Sequence, residues 1–364
     1  MRHRGETGEG SMSVLSAYEG RRVLITGRTG FKGAWLSRLL EHLGAEVHGI
    51  SLPAEPGSLG ERLGVRGSEP HEILDIRDTV GVTRVMHQVK PEIVFHLAAQ
   101  ALVLRSFSHP VETFSTNVMG TVSLLDAVGS IDQCSGVVVA TTDKVYAPQP
   151  DGRSLTEGDR LGGVDPYSAS KASVELVVES WRNVYAQRSR GIALVTARAG
   201  NVIGGGDSSA HRILPDLLRS FRSGTPLAVR NPNSIRPWQH VLDGLWGYLR
   251  LGEEILAGAP LAPAYNFGPS DTGGISVANV CDYACEKWGF APGWKHAPDE
   301  TAVPETAVLR LSSDKSTREL AWRPTLTSFE SIDWTLRWEM DADVQGPAYA
   351  TQSQVEAFCL GQIQ

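Results

Sequence analysis

Residues 21–44 read RRVLITGRTGFKGAWLSRLLEHLG, and this stretch decides the fold. RRVLITG is a short apolar run closed by a glycine, the pattern of a strand buried on both faces. FKGAWLSRLLEHLG carries apolar residues at helical spacing and stops at Gly44, a residue suited to a helix C-cap. Between them stand Gly27, Gly30 and Gly33. Glycines at such a turn let the backbone come close to a ligand. The helix start presents free N–H groups and positive potential, which suits a diphosphate. Thr29, Phe31 and Lys32 complete the turn and belong to the same candidate cradle.

Working outward, the alternation continues. AEVHGISL reads as a second strand, HEILDIRD as a third and PEIVFHLAAQ as a fourth, with TVGVTRVMHQVK a helix between the last two. VETFSTNVMGTVSLLDAV reads as a long helix, GVVVATT as the fifth strand, PYSASKASVELVVESWRNVYAQR as a helix and GIALVTARAGNVIG as the sixth strand. This rhythm predicts an α/β fold: a Rossmann-type doubly wound parallel sheet with right-handed crossovers. Beyond about residue 200 the rhythm loosens. A dinucleotide-binding domain is therefore expected over 18–200, with return segments around 238–268. Most of 201–364 is expected to form a smaller substrate-binding lobe, and 1–17 a disordered leader.

Bulk properties exclude several classes. The 364 residues carry a net charge of −7 with no long basic stretch, which argues against a nucleic-acid surface. No apolar run reaches the roughly 18 residues of a spanning helix, and the N-terminus lacks a signal-peptide core. Cys134, Cys281, Cys285 and Cys359 are few and scattered; they are read as reduced packing residues of a cytoplasmic protein, with no metal site.

The chemistry is carried by Tyr167 and Lys171 in DPYSASK. Residues four apart share one helical face. A lysine there is expected to lower the phenol's pKa and to hold a nicotinamide ribose. The phenol then takes a proton from a sugar hydroxyl while the carbon gives hydride to NAD. Asp75 and Ile76, after the third strand, are placed to touch the adenine; Leu97, Ala98, Ala99 and Gln100 end the fourth strand beside the cofactor. No acid follows the second strand near Ser51, and Arg28 in the turn is suited to a 2′-phosphate, so this local signal leaves NADP open. Thr142, Asp143 and Lys144 end the fifth strand, where ligands of open sheets collect. An acid and a base beside an oxidising tyrosine suit elimination of water from a hexose. Once C4 is a ketone, one group removes the C5 proton and another protonates the leaving C6 hydroxyl.

The stretches VLITGRTGFKGAWL, TTDKVY, LGGVDPYSASK, ARAGNVIGGGD and RNPNSIRPWQHVL resemble the CDP-glucose 4,6-dehydratases, a family of extended short-chain dehydrogenases. The resemblance implies a retained NAD, a CDP-hexose substrate and a 4-keto-6-deoxy product. It implies Thr142, Asp143, Lys144, Tyr167 and Lys171 as the catalytic set. It places Asn201, Arg212, Arg230, Arg236 and His240 near the nucleotide-sugar. The chain departs from the family pattern at Ser208, at Leu104-Arg105 and through 145–155, all near the expected sugar pocket. An epimerase or ketoreductase of the same fold is the alternative. Internal redox returns the hydride to the same sugar, which favours NAD over NADP. A homodimer or homotetramer is expected, because the helices of 111–128 and 166–188 are apolar over more than one face.

Overall fold

A computed structural model describes residues 16–65, 71–149, 151–270, 274–291, 293–298 and 309–363. All but Ser16 and Ala17 of the expected leader lies outside the described residues. Seven strands form one sheet: β1 (Arg22–Thr26), β2 (Glu46–Ser51), β3 (His71–Ile73), β4 (Ile93–His96), β5 (Gly136–Thr142), β6 (Ala193–Ala199) and β7 (Ala264–Phe267). Their order is β7-β6-β5-β4-β1-β2-β3, and every pairing is parallel. The strand order reverses between β1 and β4, so a crevice opens beyond their C-terminal ends.

The main helices are α1 (Phe31–His42), α2 (Thr79–Val89), α3 (Gly120–Val128), α4 (Pro166–Gln187), α5 (Ile213–Ser223), α6 (Val241–Leu256), α7 (Val277–Trp288), α8 (Ser328–Gln345) and α9 (Pro347–Ile363). Side chains alternate across the sheet. Val23 and Ile25 of β1 enter a core with Leu36 and Leu39 of α1 and Leu245 and Leu249 of α6. Leu24 joins the opposite core, with Val85 of α2, Leu124 of α3 and Val174 of α4. A third core, built on α5, α7 and α8, lies under the C-terminal part of the chain. α8 and α9 also reach back: Trp338 and Phe358 share the first core with Trp35 of α1.

Two local features bear on the cleft. The helix expected over 111–128 is interrupted: Pro110–Phe114 and α3 are joined by a π turn at Ser115–Met119. The glycines of GGGD are explained by close packing. A Cβ on Gly205 would lie 2.1 Å from the Trp338 ring, and the Trp35 indole donates to the Gly205 carbonyl at 3.0 Å. The Gly206 N–H donates to Glu339 at 2.8 Å, so α1 and α8 clamp this loop from both sides.

A buried ion pair fixes α4 on the sheet. Arg198 of β6 meets Glu175 of α4 at 2.9 Å, and the hydroxyls of Thr141 and Thr196 donate to the same carboxylate. Such a pair is costly to break, since removing one partner leaves a buried charge. All four cysteines are buried and unpaired. Among the described residues no cluster of His, Cys, Asp and Glu suits a metal, and no helix is long and apolar enough to cross a membrane.

Candidate active site

A cleft of about 1790 Å³ runs over the C-terminal edge of the sheet, from Leu52 and Asp75 at one end to Arg230 and Arg236 at the other. Its floor at the switch point is the turn between β1 and α1. Gly27 has φ 75°, and a Cβ there would meet Ala98 N at 2.8 Å. A Cβ on Gly33 would lie 2.1 Å from the Gly27 carbonyl oxygen. Only glycine fits at either point. Gly30 is the N-cap of α1 and offers no side chain, so no capping side chain covers the helix start. A diphosphate fits such a cradle. Thr29, Phe31 and Lys32 line the cleft with these glycines.

Arg28 corrects the sequence reading. It does not line the cleft; its guanidinium donates to Ser37 at 3.1 Å and to Glu41 at 2.8 Å. Its stem passes over Gly49, where a Cβ would lie 2.4 Å from it. The group proposed for a 2′-phosphate is thus tied to the far side of α1.

Asp75 and Ile76 line one end of the cleft. Arg77 pairs with Asp75 at 2.6 Å and holds its carboxyl below the ordinary value. Leu97, Ala98, Ala99 and Gln100 line the middle. Gln100 is set by a residue the sequence reading missed. Asn117, in the π turn, accepts from Gln100 N at 2.8 Å and donates to Gln100 O at 3.1 Å and to Ser170 Oγ at 2.8 Å. Ser170 Oγ in turn donates to the Tyr167 carbonyl at 2.7 Å. An asparagine inside an otherwise good helix, one turn before Gly120, was the available signal.

Thr142 ends β5, and Asp143–Val145 form a short 3₁₀ turn. The Thr142 hydroxyl donates to Asp143 Oδ1 at 2.9 Å, and Lys144 Nζ lies 3.6 Å from the same oxygen. Asp143 Oδ2 is buried and makes no hydrogen bond among the described residues. Tyr167 and Lys171 stand in the first turns of α4, whose start Asp165 caps. All five candidate catalytic residues line one cleft.

The protonation expectation needs correcting. Burial pushes the Tyr167 phenol up to about 12, with the Thr142 hydroxyl and the Arg212 charge pulling the other way. Lys171 is not among the groups that lower it; its ammonium donates to the Ala140 carbonyl at 3.0 Å. Burial pushes Lys171 itself down to about 8, against the pull of Glu175. Desolvation outweighs the charge proximity that the spacing suggested.

At the other end Asn201, Arg212, Arg230 and Arg236 line the cleft. Arg212 pairs with Asp207 at 3.1 Å. His240 is not with them. It is fully buried behind the site, its Nδ1 accepts from Leu242 N at 3.3 Å as the cap of α6, and its ring packs on Trp35 and Trp334. The expectation that it lies near the nucleotide-sugar is corrected: it does not line the cleft, and its ring is taken up by the core and by the start of α6.

A glycine cradle at a strand-order reversal, facing a tyrosine and lysine on one helical turn, defines a nicotinamide enzyme of the short-chain dehydrogenase class. Residues 23–268 match the NAD dependent epimerase/dehydratase family, and the chain belongs to that family. Its cofactor is NAD, which the cradle fits and which Arg28, turned away, does not oppose. The CDP-glucose 4,6-dehydratase of Salmonella typhimurium is 40% identical over 88% of this chain and 91% of its own. The dTDP-glucose 4,6-dehydratase of the same organism is 27% identical over 87% and 92%. Among solved structures, the UDP-glucose 4-epimerase of Thermus thermophilus in complex with NAD superposes with a TM-score of 0.69 at 27% identity, over 86% of this chain and 97% of its own. A Bacillus anthracis dTDP-glucose 4,6-dehydratase in complex with NAD gives a TM-score of 0.73 at 18% identity, over 90% and 99%, a likeness of fold.

Proposed function

We propose that this chain is an NAD-dependent nucleotide-sugar 4,6-dehydratase, a hydro-lyase, and that its substrate is a CDP-hexose. The observation that carries the reading is Asp143 and Lys144 beside Tyr167 in one cleft. An epimerase needs the tyrosine and a hydroxyl neighbour; elimination needs a further acid and base. The 40% identity to a CDP-glucose 4,6-dehydratase supports the base and the hexose. The Gly27–Gly33 cradle, Tyr167 and Lys171 would hold NAD, which would supply the hydride acceptor for C4 and the hydride donor for C6.

The chain's own residues do the rest. Tyr167, once ionised, accepts the proton of the C4 hydroxyl, and the Thr142 hydroxyl and the Arg212 charge favour the ionised form. Lys171, anchored on Ala140, holds the nicotinamide ribose. A proton passing from Lys144 to Asp143 within their pair leaves Lys144 a neutral amine, which takes the C5 proton made acidic by the neighbouring ketone. Asp143 delivers a proton to the C6 hydroxyl from Oδ2, the oxygen not engaged by Thr142. Arg212, Arg230 and Arg236 suit the substrate diphosphate, since guanidinium forks onto its oxygens. In this reading 18–200, with the return near 238–268, holds NAD and most of 201–364 holds the nucleotide-sugar.

The reading extends to assembly and compartment. Phe107, Val111, Phe114, Met119 and Leu176 are large apolar residues left exposed on the helices of 103–128 and on α4. A second copy covering them gives the homodimer, or a pair of dimers. The compartment is the cytoplasm, where thiols stay reduced. The test is to offer CDP-, dTDP-, UDP- and GDP-glucose in turn without added reductant. Formation of a 4-keto-6-deoxy product from the CDP-sugar is expected. Epimerisation without loss of water would defeat the reading.

A further inference from the structure

A second lysine–tyrosine pair lies in the cleft, and the chemistry above does not use it. Lys32 stands in the first turn of α1, directly after the cradle, and lines the cleft. Its ammonium donates to the phenol of Tyr248 at 3.3 Å and lies 5.7 Å from that ring's centre. Tyr248 comes from α6 and is fully buried. A phenol is a weak partner for a half-buried ammonium. Burial disfavours the charge, Arg212 ahead of α5 and Lys171 of α4 repel it, and Asp143 at the end of β5 attracts it. Tyr167 is the remaining titratable neighbour, and it bears on Tyr248. With Lys32 charged, Lys32, Arg212 and Lys171 stand together around Asp143, whose charge is already shared with Lys144, while Arg212 also has Asp207. An incoming diphosphate carries two negative charges into this group.

We propose that Lys32 is the proton-linked part of the cofactor grip: in mildly alkaline solution it is largely a neutral amine in the free enzyme and becomes an ammonium when a dinucleotide diphosphate enters the Gly27–Gly33 cradle, so that NAD binding there takes up a proton. Burial and the neighbouring cations bring Lys32 of the free enzyme down to about 7. A nearby opposite charge raises an ammonium's pKa by roughly 1–3 units. NAD affinity then falls as pH rises above about 7, because deprotonated Lys32 must first recover its proton. Below that pH the lysine is charged in both states and the dependence vanishes. The inference rests on the NAD reading of the cleft and not on the identity of the sugar.

Calorimetry on the full chain freed of nucleotide tests it. NAD is titrated at pH 8 in Tris and in HEPES, whose ionisation heats differ, so the difference counts protons. The wild type is expected to take up protons, and Lys32→Gln to take up roughly half a proton fewer or less still. Lys32→Arg stays charged at every pH and is expected to bind NAD with the same loss of uptake. Lys171→Gln measures the share of the other buried lysine. Equal uptake in the wild type and in either Lys32 variant, with NAD bound, overturns the proposal; if Lys32→Gln does not fold, Lys32→Arg decides alone. Failure of the folded wild type to bind NAD would defeat the cofactor reading and the proposal with it.

Discussion

Changing Tyr167 to phenylalanine removes one oxygen from the cleft and leaves the packing of α4 in place. Turnover is expected to fall at least about 100-fold, the scale of a lost proton-transfer group, with the melting temperature little changed. Near-normal turnover would remove this tyrosine from the mechanism. Asp143→Asn keeps the shape but loses the acid. Exchange of the C5 proton with solvent is expected to continue while loss of the C6 hydroxyl slows, and the two are followed separately by NMR and mass spectrometry. Water loss at the normal rate would show that Asp143 is not the acid. Single residues also show where sequence reading stops. Tyr167, Lys171 and the glycines are legible because their spacing carries the chemistry. Arg28 and His240 are not, because whether a side chain faces the cleft or the core depends on which neighbour claims it: Glu41 for one, the α6 N–H for the other. The buried histidines add a pH prediction. His96, held between Thr26 and Thr121, and His240 are both brought down by burial to about 3, from an ordinary 6.5. The unfolded chain therefore binds protons that the folded chain refuses. Stability is intact above 6.5 and falls on acidification, by about 1.4 kcal/mol per pH unit per histidine. Ring resonances of the two histidines should stay fixed between pH 8 and 5; a titration midpoint near 6.5 would contradict their burial as neutral rings.

Elements were the most legible scale. A buried strand is an apolar run and an amphipathic helix has its own period, so β1 through β6 could be read directly from the chain. The π turn at Ser115–Met119 could not, since it differs from an α-helix by one residue per turn and leaves the apolar pattern nearly unchanged. It matters because it aims Asn117 at both Gln100 and Ser170. The small paired strands at Asn201–Ile203 and Trp238–His240 were hidden too, being three residues each. The strand–turn–helix unit makes a direct prediction. A methyl group on Gly33 would sit 2.1 Å from the Gly27 carbonyl, and both atoms belong to rigid backbone. Gly33→Ala must displace α1 from β1. Purified Gly33→Ala protein is expected to hold far less NAD than the wild type and to melt at a lower temperature. An unchanged NAD content would mean that the cradle does not bind the diphosphate.

At the scale of the whole molecule, the chain places its glycine cradle, the Thr142–Lys144 and Tyr167–Lys171 residues and its arginines along one continuous cleft. The order of these parts was legible in the sequence but their closure was not, since α8 and α9 return to α1 from the far end of the chain and bury Trp338 against Gly205. The exposed apolar face predicts an assembly. Leu176 is 67% exposed on α4 and Met119 is 53% exposed on the π turn, both costly to leave in water. Light scattering should give at least twice the 39.3 kDa of one chain, and Leu176→Glu should shift it toward the single chain. A wild-type particle of 39.3 kDa at micromolar concentration would defeat the dimer. The central claim, internal redox coupled to loss of water, is tested most directly by one experiment. CDP-glucose is incubated with the purified protein in deuterated water, with no added reductant, and the product is examined by mass spectrometry and NMR. The account predicts a 4-keto-6-deoxy sugar with solvent deuterium at C5 and the original C4 hydrogen at C6. A C4 epimer that keeps its C6 hydroxyl, or turnover only with stoichiometric reduced cofactor, would contradict it.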